Sequence, residues 1–203
     1  MKKQNRKEEE VSNTRSKVSR SGRMIYFFDT VDEDSVLEAI KHVHHLDMAN
    51  PKAPITLLID SVGGNCYDGL ALYDCLRMCR APVVTVGYGI VASMGFIIFL
   101  AGDKRVSAPN TRFLNHQVSS EIAGKATDIE IQRAEIVKLE NLTVSIVSER
   151  TGMPEAKIKK DVKLGDNYYS AKEAMKKGIV HQIMVYTDKS NKNTTILEVK
   201  PKE

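Results

Sequence analysis

Val83-Val84-Thr85-Val86-Gly87-Tyr88-Gly89-Ile90-Val91-Ala92-Ser93-Met94-Gly95-Phe96 is the stretch around which the rest of the chain can be placed. The β-branched run 83–86 reads as a strand buried on both faces, Gly87 and Gly89 permit a tight bend, and residues 92–100 are apolar enough for a buried helix. Ser93 then falls at a helix N-terminus, where unpaired amides and the positive end of the dipole favour developing negative charge. That suits a nucleophile whose transition state is an oxyanion. It also suits a serine that merely caps the helix. The Gly-x-Ser-x-Gly pattern of a nucleophile elbow is not met, so on this stretch alone capping is the simpler reading.

A second unit of the same kind lies upstream. Pro54-Ile55-Thr56-Leu57-Leu58-Ile59-Asp60 reads as a buried strand that runs into Ser61-Val62-Gly63-Gly64-Asn65, a glycine turn opening a helix over 67–79. Before it, 23–28 reads as a first strand and 32–48 as a helix with Val36, Leu37, Ile40, Val43 and Leu46 on one face. Repeated strand, turn and helix imply an α/β protein, a parallel sheet with helices on its faces, whose active groups gather at the carboxyl ends of the strands.

Beyond Arg105 the pattern shortens. Val106-Ser107-Ala108 and Arg112-Phe113-Leu114-Asn115 read as strands about a turn at Pro109-Asn110, and His116 ends the second. A long helix over 128–150 follows, capped by the box Thr127-x-x-Glu130, with Ile129, Ile136, Leu139, Thr143, Ile146 and Val147 near one face. Ile131 and Ala134 lie off that face and suggest a partner surface. Thr151-Gly152 stops this helix, Pro154 opens a short one, Ser170-x-x-Glu173 caps another that ends at Gly178, and 179–185 reads as a last strand. Residues 1–22 carry almost no apolar side chain and read as a flexible basic tail, 23–186 as the folded domain and 187–203 as a polar tail, in which Thr195-Ile196-Leu197-Glu198-Val199 could pair on an edge.

Composition narrows the classes. The net charge of +4 is modest and its basic excess sits at the ends, not in a patch interleaved with aromatics, which speaks against a nucleic-acid partner. No apolar run reaches the roughly 18 residues of a membrane span, and the basic N-terminus lacks the apolar region of a secretory signal. A cytoplasmic protein without a membrane partner is therefore expected. Cys66, Cys75 and Cys79 read as free buried thiols, and His42, His44 and His45 as surface histidines without ligand spacing, so no metal is expected.

A serine nucleophile needs a base, a carboxylate to orient the base, and amides for the oxyanion. Ser93, His116, Asp166 and Gly64 could supply them. The motifs Ser61-Val62-Gly63-Gly64, Gly69-Leu70-Ala71-Leu72-Tyr73-Asp74, Ala92-Ser93-Met94-Gly95, Pro109-Asn110-Thr111-Arg112, His116-Gln117, Ala126-Thr127-Asp128-Ile129-Glu130-Ile131 and Asp166-Asn167-Tyr168-Tyr169-Ser170-Ala171 follow in one order. In that order they closely resemble the ClpP family, the proteolytic subunit of ATP-dependent Clp proteases. The resemblance spans about residues 23–184. It implies a ClpP/crotonase-like fold of repeated β-β-α units with a protruding long helix and a small handle strand. It implies Ser93 as nucleophile, His116 as general base, Asp166 as its orienting residue, the amides of Gly64 and Met94 as oxyanion hole, and Val118, Ser119, Ser120 and Glu121 as the strand along the substrate backbone. It further implies self-association into stacked heptameric rings around a chamber that cleaves peptides and unfolded proteins. No cofactor is implied, ATP entering only through an AAA+ unfoldase partner.

The chain departs from the family's usual pattern in several places. Val118 stands for the usual proline after His-Gln, Ser120 and Glu121 for the usual glycines, and Leu164-Gly165 with one inserted residue for the Asp-Arg pair before the catalytic Asp. The short axial-loop sequence is missing near the N-terminus. These features fit a diverged member. Two alternatives stay open: a protease acting without an ATPase on one dedicated protein, for example in phage capsid maturation, and a structural ring subunit. An acyl-CoA enzyme of the crotonase type would share the oxyanion geometry but need no Ser-His-Asp set. The insertion also leaves Asp161 as a rival to Asp166. The ungapped match of 166–171 favours Asp166, and Asp161 reads as a solvated charge on a Lys-rich helix.

Overall fold

A computed structural model of the chain describes residues 18–186. Among these, strands β1 (Ser19–Ser21), β2 (Met24–Phe27), β3 (Ile55–Ser61), β4 (Val83–Ala92), β5 (Lys104–Ser107), β6 (Arg112–Asn115), β7 (Asn167–Ser170) and β8 (Gln182–Ile183) form one mixed sheet. Between them lie helices α1 (Glu33–Ala49), α2 (Cys66–Met78), α3 (Met94–Leu100), α4 (Ala126–Thr151), α5 (Glu155–Lys163) and α6 (Ala171–Lys176). The sheet order is β1-β2-β3-β4-β5-β8, with β6 also paired to β4 and β7 paired to β6. Every pairing is parallel except β1 with β2 and β6 with β7. The α/β class and repeated crossover units expected from the sequence are present.

Burial alternates along the sheet. Ile55, Leu57 and Ile59 of β3 are fully buried while Thr56, Leu58 and Asp60 are half-buried. In β3 one face thus carries the core and the other is only partly covered, whereas in β4 Val83 and Thr85 on one face and Val86 on the other are buried, so the expectation of a strand buried on both faces holds over 83–86 except at half-buried Val84. On the core face, α3 is buried along its whole length, and Phe99 lies 5.1 Å, centroid to centroid, from Phe113 of β6. The bend expected at Gly87 and Gly89 is also absent, since β4 runs unbroken to Ala92. A register shift between Ile59 and Ser61 is absorbed there instead. Ile90 N donates to Asp60 Oδ1 at 3.0 Å, and Gly89, at φ 45°, leaves space that a Cβ would take from that carboxylate.

Several boundaries move. Residues 19–21 pair with 24–26 and Val18 is buried, so the fold begins inside the expected 1–22 tail; residues 1–17 and the 187–203 tail with its 195–199 run lie outside the described residues. The last strand shrinks to Gln182–Ile183. α4 starts from Lys125 with no side-chain cap, so Thr127 and Glu130 sit inside the helix and form no capping box. The box Ser170/Glu173 does form, with Glu173 N donating to Ser170 Oγ at 3.3 Å, and Asp32 with Ser35 makes another at α1. On α1, Val36, Val43 and Leu46 are buried but Leu37 is exposed. The cysteines are half-buried, not buried, and unlinked, and Cys79 Sγ donates to Asp47 Oδ1 at 3.3 Å.

No residue of α4 before Leu139 is buried, so its first half projects from the body. Its second half is held by arginines. Arg150 donates to the carbonyls of Leu100 and Gly102, and Arg105 to those of Gly102, Arg150, Gly178 and Ile179. Arg105 is 3% exposed, and burial beside Arg150 pushes its pKa down to about 10, so it stays charged at neutral pH. Replacing Arg105 by Ala strands these carbonyls and is expected to cost roughly 3 kcal/mol of folding free energy. A urea titration reads this as a lower midpoint at unchanged slope.

Candidate active site

The chemistry-bearing residues meet where β4, the β3–α2 loop, β6 and the α5–β7 loop end. Ser93 follows the last residue of β4 and precedes α3. Its N–H donates to Leu114 O at 3.0 Å, and its C=O accepts from Phe96 N and Ile97 N at 3.0 and 3.2 Å, which fixes the residue on both sides. With φ 53° and ψ −124°, it is the one non-glycine residue at positive φ among those described. A side chain held in that region costs of order 1–3 kcal/mol and persists only where the surroundings enforce it. Its hydroxyl makes no cap hydrogen bond, so the simple capping reading fails although Ser93 occupies the cap position.

Gly63 lies hard against this turn. A Cβ on it would stand 2.5 Å from Ser93 Cβ and 2.9 Å from Met94 N, and its own φ is 97°. Gly64 is held in place by Val31: Val31 N donates to Gly63 O at 2.9 Å, Asn65 N donates to Val31 O at 2.7 Å, and a Cβ on Gly64 would collide with Val31 O. These bonds use the Gly63 carbonyl and the Asn65 N–H, and the Gly63 N–H is spent on Ser61 Oγ at 3.2 Å. The amides of Gly64 and Met94 themselves have no hydrogen-bond partner among the described residues.

Strand pairing brings the histidine to the carboxylate. In the antiparallel β6–β7 ladder Asn115 faces Asn167, so one step further His116 faces Asp166. Nδ1 of His116 lies 3.7 Å from Asp166 Oδ1, with side-chain exposures of 27% and 58%. Asp166 is therefore an exposed carboxylate, not a buried one. The contact leaves Nε2 as the other nitrogen. No hydrogen bond joins Ser93 to His116 among the described residues, although the Ala92–Leu114 pairing and the Ser93–Leu114 bond set their strand ends side by side. Asp161 stands on the Lys-rich α5 as expected, in its last turn, but its side chain is half-buried and 3.4 Å from Lys157 Nζ, so it is an ion-paired and not a solvated charge.

Residues 118–121 form no strand, and none is present among the described residues between β6 and α4, so the expected handle strand is absent. Val118, Ser119 and Ser120 nevertheless line a groove of about 300 Å³, open to solvent, together with Gly64, Cys66 and Tyr67. Glu121 is exposed and lies outside that lining. Across the groove the Tyr67 hydroxyl donates to Glu135 Oε1 of α4 at 3.5 Å. Sequence reasoning passed over Val31, Gly63 and Tyr67. The Gly63-Gly64 doublet gave a turn signal that could have flagged the close approach, whereas nothing local marks Val31.

Elsewhere, no group of three or more His, Cys, Asp and Glu side chains among the described residues could hold a metal ion, and no helix there is long and apolar enough to cross a membrane. On Gly63, an added methyl meets Ser93 and backbone at once and would sit at a disfavoured φ. Gly63→Ala is therefore expected to cost at least about 2 kcal/mol, seen as a lower melting temperature, while Gly22→Ala, with open space around it, should cost no more than its left-handed φ of 58° demands.

Residues 6–187 match the family model described as Clp protease. An ATP-dependent Clp protease proteolytic subunit of Deinococcus radiodurans is 35% identical over 167 residues, 81% of each chain. ATP-dependent Clp protease proteolytic subunit 1 of Chlamydia trachomatis is 36% identical over 166 residues, 80% of this chain and 86% of the relative. The subunit 1 of Gloeobacter violaceus is 37% identical over 164 residues, 80% of this chain and 83% of its own.

Proposed function

The chain belongs to the Clp protease family, a family of serine-type peptidases, and from that premise we propose that it cleaves peptide bonds through Ser93, His116 and Asp166. The observation that carries the reading is the enforced left-handed backbone of Ser93 beside two unspent amides, since strain of this kind at a hydroxyl has no structural use in capping. Ser93 Oγ attacks the scissile carbonyl carbon while His116 Nε2 accepts its proton. The amides of Gly64 and Met94 receive the carbonyl oxygen as it becomes an oxyanion, a contribution typically worth 10²–10³ in rate for roughly one donor. Asp166 faces Nδ1, holds the imidazole tautomer and stabilises the imidazolium. The imidazolium then protonates the leaving amine, and water repeats the sequence on the acyl-enzyme. The 3.7 Å separation of Nδ1 and Oδ1 is longer than a hydrogen bond, as such contacts often are before substrate closes them. The substrate strand would lie in the groove beside Gly64, along 118–120.

Ser93→Ala is expected to abolish peptide cleavage and fluorophosphonate labelling without unfolding the protein, because the hydroxyl makes no cap bond. Asp166→Asn should lower turnover by orders of magnitude, as loss of the orienting carboxylate does in other triads. Asp161→Asn should change it little. Kinetics with the opposite pattern would move the orienting role to Asp161.

The assembly follows from α4. Ile131, Val137 and Leu142 are 69, 45 and 46% exposed on a helix whose first half buries nothing in its own chain. We read this surface as the contact between subunits of a ring protease, with heptameric, stacked rings the expected form, acting in the cytoplasm on unfolded chains that a Clp ATPase delivers. The relatives' own designation as proteolytic subunits of ATP-dependent proteases supports this reading. Ile131→Glu would place a charge at that contact and is expected to lower the native mass or split the assembly. Sedimentation of the wild type as a monomer at every concentration would remove the ring.

A further inference from the structure

We propose that Glu140 is a positioning residue for His116, acting through Gln117. The inference rests on His116 being the general base. The β6–β7 pairing ends at Asn115 opposite Asn167, one step short of His116, so the histidine sits at the point where the sheet stops dictating the path. The next residue finds an anchor on another element. Gln117 Nε2 donates to Glu140 Oε2 at 2.8 Å, and among the described residues this is the one side-chain hydrogen bond that joins 116–124 to another element. The short distance is that of a bond to an ionised carboxylate, the stronger kind.

The anchor is itself fixed. Glu140 follows Leu139, the first buried residue of α4, and its carbonyl accepts from Thr143 Oγ1 at 3.0 Å, so it belongs to the half of the helix that packs on the body and not to the projecting half. Asn115, His116, Gln117 and Glu140 all line one small cavity against α4 and α5. His116 is thereby held between the last rung of the ladder on one side and a helix on the other. Without the second anchor the chain at 116–117 loses its one side-chain tie to another element, and the imidazole can drift away from Asp166, whose contact at 3.7 Å is too long to restrain it alone. Glu140 touches neither the reacting atoms nor the groove beside Gly64, so its effect must pass through the placement of the base.

The test uses the full chain and compares wild type with Glu140→Ala, Glu140→Gln, Gln117→Ala and the double alanine variant. For each, kcat and KM on a fluorogenic peptide, the rate of fluorophosphonate labelling of Ser93, and the melting temperature are measured. Glu140→Ala is expected to lower kcat and the labelling rate together by roughly tenfold with KM little changed, because a misplaced base costs the transition state and not ground-state binding. Glu140→Gln keeps an oxygen that can accept from Gln117 and should restore most of the rate. Gln117→Ala should match Glu140→Ala, and the double variant should be no slower than either, the mark of two residues acting through one bond. An unchanged kcat in Glu140→Ala, a rise in KM alone, additive losses, or Glu140→Gln as slow as Glu140→Ala would each overturn the proposal. Should Glu140→Ala fold poorly, exposed Gln117 carries the same test. A wild type that does not label at Ser93 is a different result, which removes the triad itself.

Discussion

Everything at the site depends on one constraint, that β4 has a single free edge beyond β3 and must share it between two strands. β5 takes residues 84–87 and β6 takes 90–92, so the edge is handed over at Gly87, whose carbonyl accepts from both Ala108 N and Thr111 Oγ1. Because β6 is thus laid against the far end of β4, Leu114 comes level with Ala92 and its carbonyl captures the amide of Ser93. The same capture turns the chain sharply into α3 and leaves Ser93 at positive φ. On the opposite edge, the register shift at Asp60 delivers Ser61 to Val91, which brings Gly63 against Ser93 and Gly64 within reach of Val31. The placement of Ser93, of the Gly64 and Met94 amides and of His116 follows from how one strand is flanked.

The two halves of the site differ in how firmly they are built. Ser93 and Met94 head a helix buried from end to end, pressed on Ser61 and Gly63, and close packing of that kind resists displacement. His116 and Asp166 stand just past the end of a short antiparallel ladder, half-buried and exposed respectively. A core substitution near α3 acts on the first half through strain. A change on α4 or α5 reaches the second half through the cavity wall behind His116.

Much of this was legible in the sequence because it is local. The β-branched runs at 55–59 and, at its start, 83–86, the Asn65 start of α2, the Ser170/Glu173 box and the stop at Gly152 are set by nearest neighbours, and each of these stands within a residue or two of its expected place. What could not be read is non-local. The bulge over 88–90 needs Asp60, thirty positions from Ile90, to show why Gly89 continues a strand and does not end it. Thr127 and Glu130 have the right spacing for a cap, yet the helix begins before them, because spacing alone does not say which turn is the first. Motif continuity in the sequence favours Asp166 over Asp161, and the β6–β7 register independently sets Asp166 opposite His116.

That register decides which residue His116 faces. His116 and Asp166 are fifty residues apart and their meeting depends only on Asn115 facing Asn167, which in turn follows from the pairing of Phe113 with Tyr169. A slip by one residue would put a different side chain opposite His116 and would turn Tyr169, now 9% exposed, out toward solvent. Burial of Tyr169 and Phe113 therefore fixes which residue faces His116 at the other end of the ladder. The apolar residues of β6 and β7 select which carboxylate the histidine meets, and that selection is made in the core, not at the site.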